Sequence, residues 1–163
     1  LCAERTGIVV HEIGHAMGFH HEQARSDRDD YVIINWQNIK PSMESNFERE
    51  KNTLTYNIPY DYTSVMHYGS KSFSKNGNFT VIAKKPVAQL AIGSRDGLSF
   101  ADMKLANLMY NCTTRWLDAC GFTNGGPCQN GGYTSANCLC VCPSGTSGVN
   151  CETFFSPYTD AAV

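Results

Sequence analysis

The sequence lacks long apolar runs and a strong charge of either sign. Its 163 residues include 13 Lys and Arg against 15 Asp and Glu, so the formal net charge is only −2. Without a basic surplus there is no electrostatic attraction for nucleic acid. No apolar stretch approaches the roughly 18 residues of a membrane span, and no internal repeat or low-complexity tract is present. These absences leave a globular protein with neither a nucleic-acid partner nor a membrane span.

Histidine is scarce, yet four of the five histidines fall within one short stretch. His11 and His15 are four residues apart, so both imidazoles emerge from the same face of a helix. At Gly18 a helix can end in a left-handed turn, and the reversed chain can bring His21 back as a third ligand. Three protein ligands leave one zinc position free for water, which is typical of a catalytic site. His20 faces away by the same spacing and is interpreted as structural.

A carboxylate accompanies these histidines. Glu12 lies about 100° further round the predicted helix than His11. This places its carboxylate at the edge of the helix face that carries the histidines, where it can reach a metal-bound water without ligating the metal itself. A chance H-E-x-x-H in a histidine-rich helix is the alternative, but Gly18 and His21 at the matching offsets make coincidence a poor explanation. The sequence therefore predicts a catalytic site with one Zn²⁺ per chain.

The stretch from His11 to Asp29, HEIGHAMGFHHEQARSDRD, resembles the astacin family of secreted zinc endopeptidases. The pattern H-E-x-x-H-x-x-G-x-x-H is common to all metzincins. Another metzincin subfamily is the alternative, and Glu22 disfavours it, since adamalysin-type relatives normally have aspartate there. SVMHYG at residues 64–69 and IGSRDGLS at residues 92–99 resemble the methionine turn and the closing segment of the family. The similarity covers about residues 3–112.

This resemblance implies a role for each matching residue. The zinc ligands it implies are His11, His15 and His21. Glu12 would be the general base that takes a proton from the zinc-bound water and passes it to the leaving amine. Met66 would form the hydrophobic floor beneath the metal, which is nearly the role of an ordinary core methionine. Tyr68 would ligate zinc at rest and stabilise the oxyanion of the tetrahedral intermediate.

The resemblance also leads to an expectation about the N-terminal side. Leu1 lies ten residues before His11, whereas the zinc helix of the family begins near the middle of the catalytic domain. We therefore expect a fragment or a truncated gene model in which the upstream sheet subdomain is missing. Glu22 would correspond to the buried acid that holds the new N-terminus after propeptide removal. A solvated glutamate beside Arg25 is the alternative.

Six of the eight cysteines lie within 32 residues, among Gly-Gly, Asn-Gly and Pro turn signals. This density is typical of a small module held together by disulfides. A zinc ribbon is the alternative, but C-x-C-x-C spacing without C-x-x-C pairs disfavours it. The ending C-V-C-P-x-G-x-x-G-x-x-C resembles an EGF-like domain. The connectivity of that family implies the bridges Cys120–Cys138, Cys128–Cys140 and Cys142–Cys151.

Cys2 and Cys112 stand outside this module. They could bond to each other. In the astacin family, cysteines at these positions each pair with a partner upstream of the zinc helix, so we expect both to be unpaired here. Disulfide-rich composition is typical of an oxidising compartment, and N-glycosylation sequons begin at Asn78 and Asn111. The sequence therefore predicts a secreted, extracellular protein.

The predicted fold class is α+β: a metzincin-type zinc protease followed by a small disulfide-rich EGF-like domain. We predict a zinc helix over residues 4–17, strands over residues 31–34 and 79–83, and a C-terminal helix from Ser99 to about Tyr110. The predicted domains are an astacin-like peptidase domain at 1–112 without its N-terminal half, a linker at 113–119, an EGF-like domain at 120–152 and an unstructured tail at 153–163.

Two classes of function compete. The favoured one is a secreted zinc-dependent metalloendopeptidase that hydrolyses peptide bonds of extracellular proteins or peptides. The alternative is a catalytically inactive fragment whose EGF-like module binds matrix or a cell-surface protein. The intact histidine set with Glu12 disfavours the alternative, because an inactive domain has no need of the base. Matrix binding that survives a chelator would favour it.

Overall fold

The computed structural model describes residues 6–51 and 53–155, and they fall into two compact units. The first unit comprises the described residues up to Ala101, and the second begins at Asp102. Helix α1, Thr6–Ala16, is the longest helix of these residues, with 11 residues. Within the described ranges, no helix has the length and apolar character needed to cross a bilayer.

Helix α1 forms although Ile8-Val9-Val10 favours a strand, because tertiary packing overrides the local preference. Its buried positions include Gly7 and Gly14. A Cβ on Gly7 would lie 1.7 Å from the carbonyl oxygen of Arg95, so only glycine permits this contact. A Cβ on Gly14 would lie 2.7 Å from the sulfur of Met66. The helix is therefore seated against the loops that contain Met66 and Arg95.

The helix ends in the left-handed turn predicted at Gly18. Gly18 has a φ of +90°, a value that favours glycine. The N–H of Phe19 donates to the Gly14 carbonyl at 2.9 Å, and the N–H of Gly18 donates to the His15 carbonyl at 3.0 Å. These two bonds form a Schellman motif, which satisfies carbonyls at the helix end and reverses the chain.

Two short antiparallel strands form the sheet of the first unit. Strand β1, Val32–Ile34, pairs with strand β2, Val81–Ala83, inside both predicted strand segments. Burial alternates along β1, with Ile33 exposed between two buried neighbours, so one face of the sheet covers the core. The principal buried side chains of that core are Val32, Ile34, Ile39, Phe47, Tyr60, Tyr62, Val81 and Ile92.

Short 3₁₀ helices connect these elements. Buried side chains hold the irregular backbone: the Arg28 guanidinium donates to the carbonyl oxygens of Gln23 at 2.8 Å and Phe47 at 2.9 Å. Such bonds satisfy buried carbonyls that lack a partner in regular structure. The 3₁₀ helices are Glu22–Ala24, Arg28–Asp30, Trp36–Asn38, Glu44–Phe47 and Pro86–Leu90.

The second unit combines helices with three disulfides. Helix α2 spans Phe100–Met109, inside the predicted C-terminal helix, and helix α3 spans Cys112–Ala119. The disulfides have the pairs that the EGF-like resemblance implies: Cys120–Cys138, Cys128–Cys140 and Cys142–Cys151. The antiparallel strand pairs are β3, Tyr133–Thr134, with β4, Cys140–Val141, and β5, Thr146–Ser147, with β6, Thr153–Phe154.

The structure differs from the sequence-based expectation at two segments. Residues 113–119, predicted as a linker, are helical and belong to α3. The Leu117 side chain of this helix lies against Gly126, where an added Cβ would be 2.5 Å from the Leu117 Cδ2. The tail predicted as unstructured is wrong for residues 153–154, which form β6. A strand of two residues has no periodic pattern, so only its pairing reveals it.

The structure describes one of the two cysteines outside the module, Cys112, but not Cys2. Cys112 is half-buried and forms no disulfide with any described residue. Cys2 lies outside the described residues, as do the first two residues of the predicted zinc helix and residues 156–163 of the predicted tail.

Candidate active site and metal centre

The structure brings His11, His15 and His21 together. Their candidate ligand nitrogens all lie within 4.8 Å of one another. The Nε2 atoms of His15 and His21 are 3.1 Å apart. The first two histidines come from one face of α1, and the turn at Gly18 returns the chain so that His21 faces them. The predicted ligand set is thus a spatial cluster.

Backbone carbonyls fix the orientation of two of these rings. The Nδ1 of His11 lies 2.7 Å from the Val65 carbonyl oxygen, and the Nδ1 of His15 lies 2.9 Å from the Phe19 carbonyl oxygen. A carbonyl can only accept, so each Nδ1 donates its proton and the Nε2 lone pair remains available. This arrangement sets the tautomer that a histidine needs to ligate a metal.

The cluster favours uncharged imidazoles. Burial, together with the neighbouring His15 and His11, lowers the pKa of His21 to about 4. Burial also lowers the pKa of His11. Metal ligation requires the neutral form, so these rings are ready to bind at neutral pH. Three imidazole nitrogens with room for a fourth ligand suit Zn²⁺, and the residues present therefore fit the metal.

Glu12 follows the first of these histidines on α1. Its side chain is exposed, whereas His11 is buried. The carboxylate is therefore in contact with solvent, and Glu12 is one residue along α1 from a candidate ligand.

Met66 lies beneath the ligand helix. It is almost fully buried, and its sulfur occupies the space beside Gly14. Its N–H donates to the Ser64 hydroxyl at 3.0 Å, and its carbonyl accepts the N–H of Glu22 at 3.3 Å. The methionine turn is thereby tied to the residue that directly follows His21.

Tyr68 is held close to the third histidine. Its ring centroid lies 4.5 Å from that of His21. Phe47 and Phe73 each lie 5.6 Å away between ring centroids. The N–H of Tyr68 donates at 3.0 Å to the side-chain oxygen of Gln23, which is fully buried. Burial raises the pKa of Tyr68, so in the absence of a cation the phenol keeps its proton and can donate it.

Glu22 is buried, unlike the solvated glutamate considered as an alternative. One of its carboxylate oxygens accepts the N–H of Asp61 at 2.8 Å and the Arg25 guanidinium at 3.1 Å. Arg25 in turn makes a two-pronged pair with Asp27, at 2.9 and 2.7 Å. A buried carboxylate needs such partners.

Sequence reasoning missed several residues that support the site. His67 is fully buried, its Nε2 is 2.7 Å from the Tyr60 hydroxyl, and its carbonyl accepts the Arg95 guanidinium at 3.1 Å. Gln23 positions Tyr68 in the same way. His67 lies within the methionine-turn motif, which was the available signal. Arg95 lies within the IGSRDGLS segment already noted, whereas Tyr60 lies in no quoted motif.

A comparison with known families agrees with this geometry. The model of Astacin, a peptidase family, matches residues 1–111, which is more than half of the chain. The chain belongs to the astacin family. The match includes the histidine cluster, Glu12 and the methionine turn.

Individual astacin-family proteins are similar over most of this chain. Blastula protease 10 of Paracentrotus lividus is 46% identical over 90% of the chain, and zinc metalloproteinase nas-31 of Caenorhabditis elegans is 41% identical over 91%. The chain spans about a quarter of the length of each of these relatives. A solved structure of high choriolytic enzyme 1, a hatching enzyme zinc-protease of Oryzias latipes, is 48% identical with a TM-score of 0.61. That match covers 65% of this chain and 52% of the other.

Replacement of any one clustered histidine by alanine should abolish tight zinc binding. We expect His11→Ala, His15→Ala and His21→Ala each to weaken zinc affinity by more than about 100-fold, the upper end of the loss caused by outer-shell changes. His20→Ala is the matched control, because this neighbouring side chain is more than half exposed and outside the cluster. Competition with a chromophoric chelator measures the affinities. Equal affinities in all four variants would contradict the ligand assignment.

The buried His67 should make stability depend on pH. Burial lowers its pKa to about 4, whereas an unfolded histidine titrates near 6.5. Between these values only the unfolded state binds the proton at this residue, so the contribution of His67 to the free energy of unfolding is complete above pH 6.5 and falls by about 3 kcal/mol towards pH 4. Urea unfolding of the zinc-free protein at several pH values measures this slope. His67→Gln should reduce it, and an unchanged slope in that variant would contradict the assignment.

Proposed function

We propose that this chain is part of a secreted zinc endopeptidase that hydrolyses peptide bonds of extracellular proteins. The observation that carries this proposal is the cluster of three histidine nitrogens within 4.8 Å, with a solvent-facing glutamate next to the first ligand. Membership of the astacin family supports the same chemistry. Because the chain spans only about a quarter of its curated relatives, the activity and substrates of the whole protein are part of the proposal.

The histidines and Glu12 have separate tasks in this mechanism. His11, His15 and His21 would hold Zn²⁺, which as a Lewis acid lowers the pKa of water and polarises a peptide carbonyl. Glu12 accepts a proton from the attacking water and then delivers it to the leaving nitrogen. Its exposed position supports this role, since an ionised base needs solvation and contact with water.

Tyr68 and Met66 support the reacting groups. The Tyr68 phenol, held beside His21, donates a hydrogen bond to the carbonyl oxygen as negative charge develops there. Its packing against Phe47 and Phe73 limits the motion of the ring. Met66 supplies an apolar surface beneath the histidines, where a flexible thioether fills the space left by Gly14.

The second compact unit serves recognition in this proposal. Its three disulfides have the EGF-like pairs, and they stabilise a small unit that cannot bury a large core. Disulfides persist in oxidising compartments, which supports secretion. We assign to residues 120–152 the binding of matrix or cell-surface protein, after the peptidase domain at 1–112.

Glu12→Gln should remove hydrolysis without removing zinc. The amide cannot take a proton, so we expect kcat to fall by about 10²- to 10⁴-fold, while zinc content stays at one per chain because Glu12 is not a ligand. Cleavage of a quenched fluorescent peptide and metal analysis measure the two effects. Glu44→Gln, at another exposed glutamate, is the control. Full hydrolysis by Glu12→Gln would refute the role of the base.

Tyr68→Phe should lower kcat more than it changes KM. The substitution keeps the ring contacts and removes only the hydroxyl, so the loss concerns charge that develops in the transition state. Removal of one such donor costs about 10²- to 10³-fold in kcat. Steady-state kinetics with the same peptide tests this, with the exposed Tyr56→Phe as the matched control. A kcat equal to that of the unmodified protein would contradict the assignment.

A further inference from the structure

A cavity of about 240 Å³ opens directly beside the proposed metal centre. His15, His21 and Tyr68 line one side of it, and Glu48 and Glu50 line another. The cavity therefore shares a wall with two zinc ligands and with the residue proposed to contact the substrate carbonyl. A peptide held at the metal would have a neighbouring side chain within reach of this space.

The charged segment at this cavity contributes only its acidic side chains to the lining. Residues 48–51 read Glu-Arg-Glu-Lys, and side chains of an extended chain alternate in direction. Both glutamates line the cavity, whereas Arg49 and Lys51 do not; the two cations line adjoining depressions, which the glutamates also border. The Arg49 guanidinium lies 3.3 Å from a carboxylate oxygen of Asp29. The segment is nearly neutral in sequence but presents negative charge to the cavity.

Backbone hydrogen bonds hold the glutamates in place. The N–H of Glu50 donates to the carbonyl of Ala24 at 2.7 Å, and Ala24 also lines the cavity. The N–H of Glu48 donates to the Ser45 carbonyl at 3.2 Å. These two bonds, together with the fully buried Phe47, fix the segment in position beside the residues that follow His21. The backbone of Glu48 and Glu50 is therefore held by the folded structure at the cavity.

The nearby histidine leaves most of this charge available. Nδ1 of His20 lies 3.8 Å from a carboxylate oxygen of Glu50, and both side chains are more than half exposed. An exposed pair of this kind is weak, because solvent screens it. The imidazole also lies near only one of the two carboxylates that line the cavity. An incoming lysine or arginine has a long apolar stem that extends along the cavity and places its cation at the rim, away from the metal.

We propose that this cavity, with Glu48 and Glu50 at its rim, is a substrate subsite that selects a lysine or arginine beside the cleaved bond. The inference rests on the proposed peptidase function and specifies its substrate class. Charge complementarity gives selectivity between peptides that are otherwise alike. Two partly exposed carboxylates should together favour a cationic side chain by about three- to tenfold over an apolar one of equal length.

Peptide hydroxamates test the subsite separately from catalysis. The hydroxamate group binds the metal and so fixes the position of the peptide. The residue next to it is lysine, norleucine, glutamate or alanine. Two series are needed, one in which the peptide extends to the N-terminal side of the metal and one in which it extends to the C-terminal side. Calorimetry on the zinc-loaded protein measures their affinities. We expect lysine to exceed norleucine by about three- to tenfold in one of the two series, glutamate to bind more weakly than norleucine, and added salt to reduce the difference.

Variants assign the preference to the two glutamates. Glu48→Gln/Glu50→Gln should bring the lysine-to-norleucine ratio close to one without changing the affinity for the alanine hydroxamate. Glu44→Gln, an exposed glutamate that does not line the cavity, should keep the ratio. Equal binding of lysine and norleucine in both series, or a ratio that survives the double substitution, would overturn the subsite. Failure of the alanine hydroxamate to bind would overturn the metal centre and, with it, the subsite.

Discussion

The close approach of helix α1 to the methionine-turn and Arg95 loops is the constraint on which the site depends. Two glycines permit it, since a Cβ on Gly7 would meet the Arg95 backbone and a Cβ on Gly14 would meet Met66. At this distance the Val65 carbonyl reaches His11, while the Arg95 side chain joins the two loops by donating to the carbonyl of His67. A wider separation of the helix from these loops would lose the bond to His11. The tautomer of a proposed zinc ligand is therefore set by backbone packing.

The residues after His21 extend this framework to the substrate side. Glu22 and Gln23 bind the backbone of Asp61 and Tyr68, which connects the third histidine to both ends of the methionine-turn region. The carbonyl of Ala24, one residue further on, holds Glu50 at the cavity rim. Three consecutive residues thus position the tyrosine, the turn and the acidic rim relative to the metal. A continuous chain segment transmits the geometry from ligand to subsite.

Local patterns in the sequence predicted the parts that depend on local geometry. The i, i+4 histidines, the turn at Gly18 and the two strands follow from spacing and glycine chemistry, and the disulfide pairs came from the resemblance to a family. The parts that were missed depend on contacts between distant residues. The Tyr60 hydroxyl reaches His67 only through the fold, and the contact of Leu117 with Gly126 has no periodic signature. The sequence assigned no role to the Glu-Arg-Glu-Lys segment, whose position at the cavity depends on a backbone bond to Ala24.

The contrast between Glu12 and its neighbour explains why a single helix suits this chemistry. A ligand must be neutral, and burial favours that state in His11. A base must be ionised and must reach water, which requires exposure. Adjacent residues on a helix differ by about 100° in direction, so one residue can face the protein while the next faces solvent. Helix α1 thereby gives two side chains one residue apart opposite environments, and the proposed division of roles between ligand and base matches that difference.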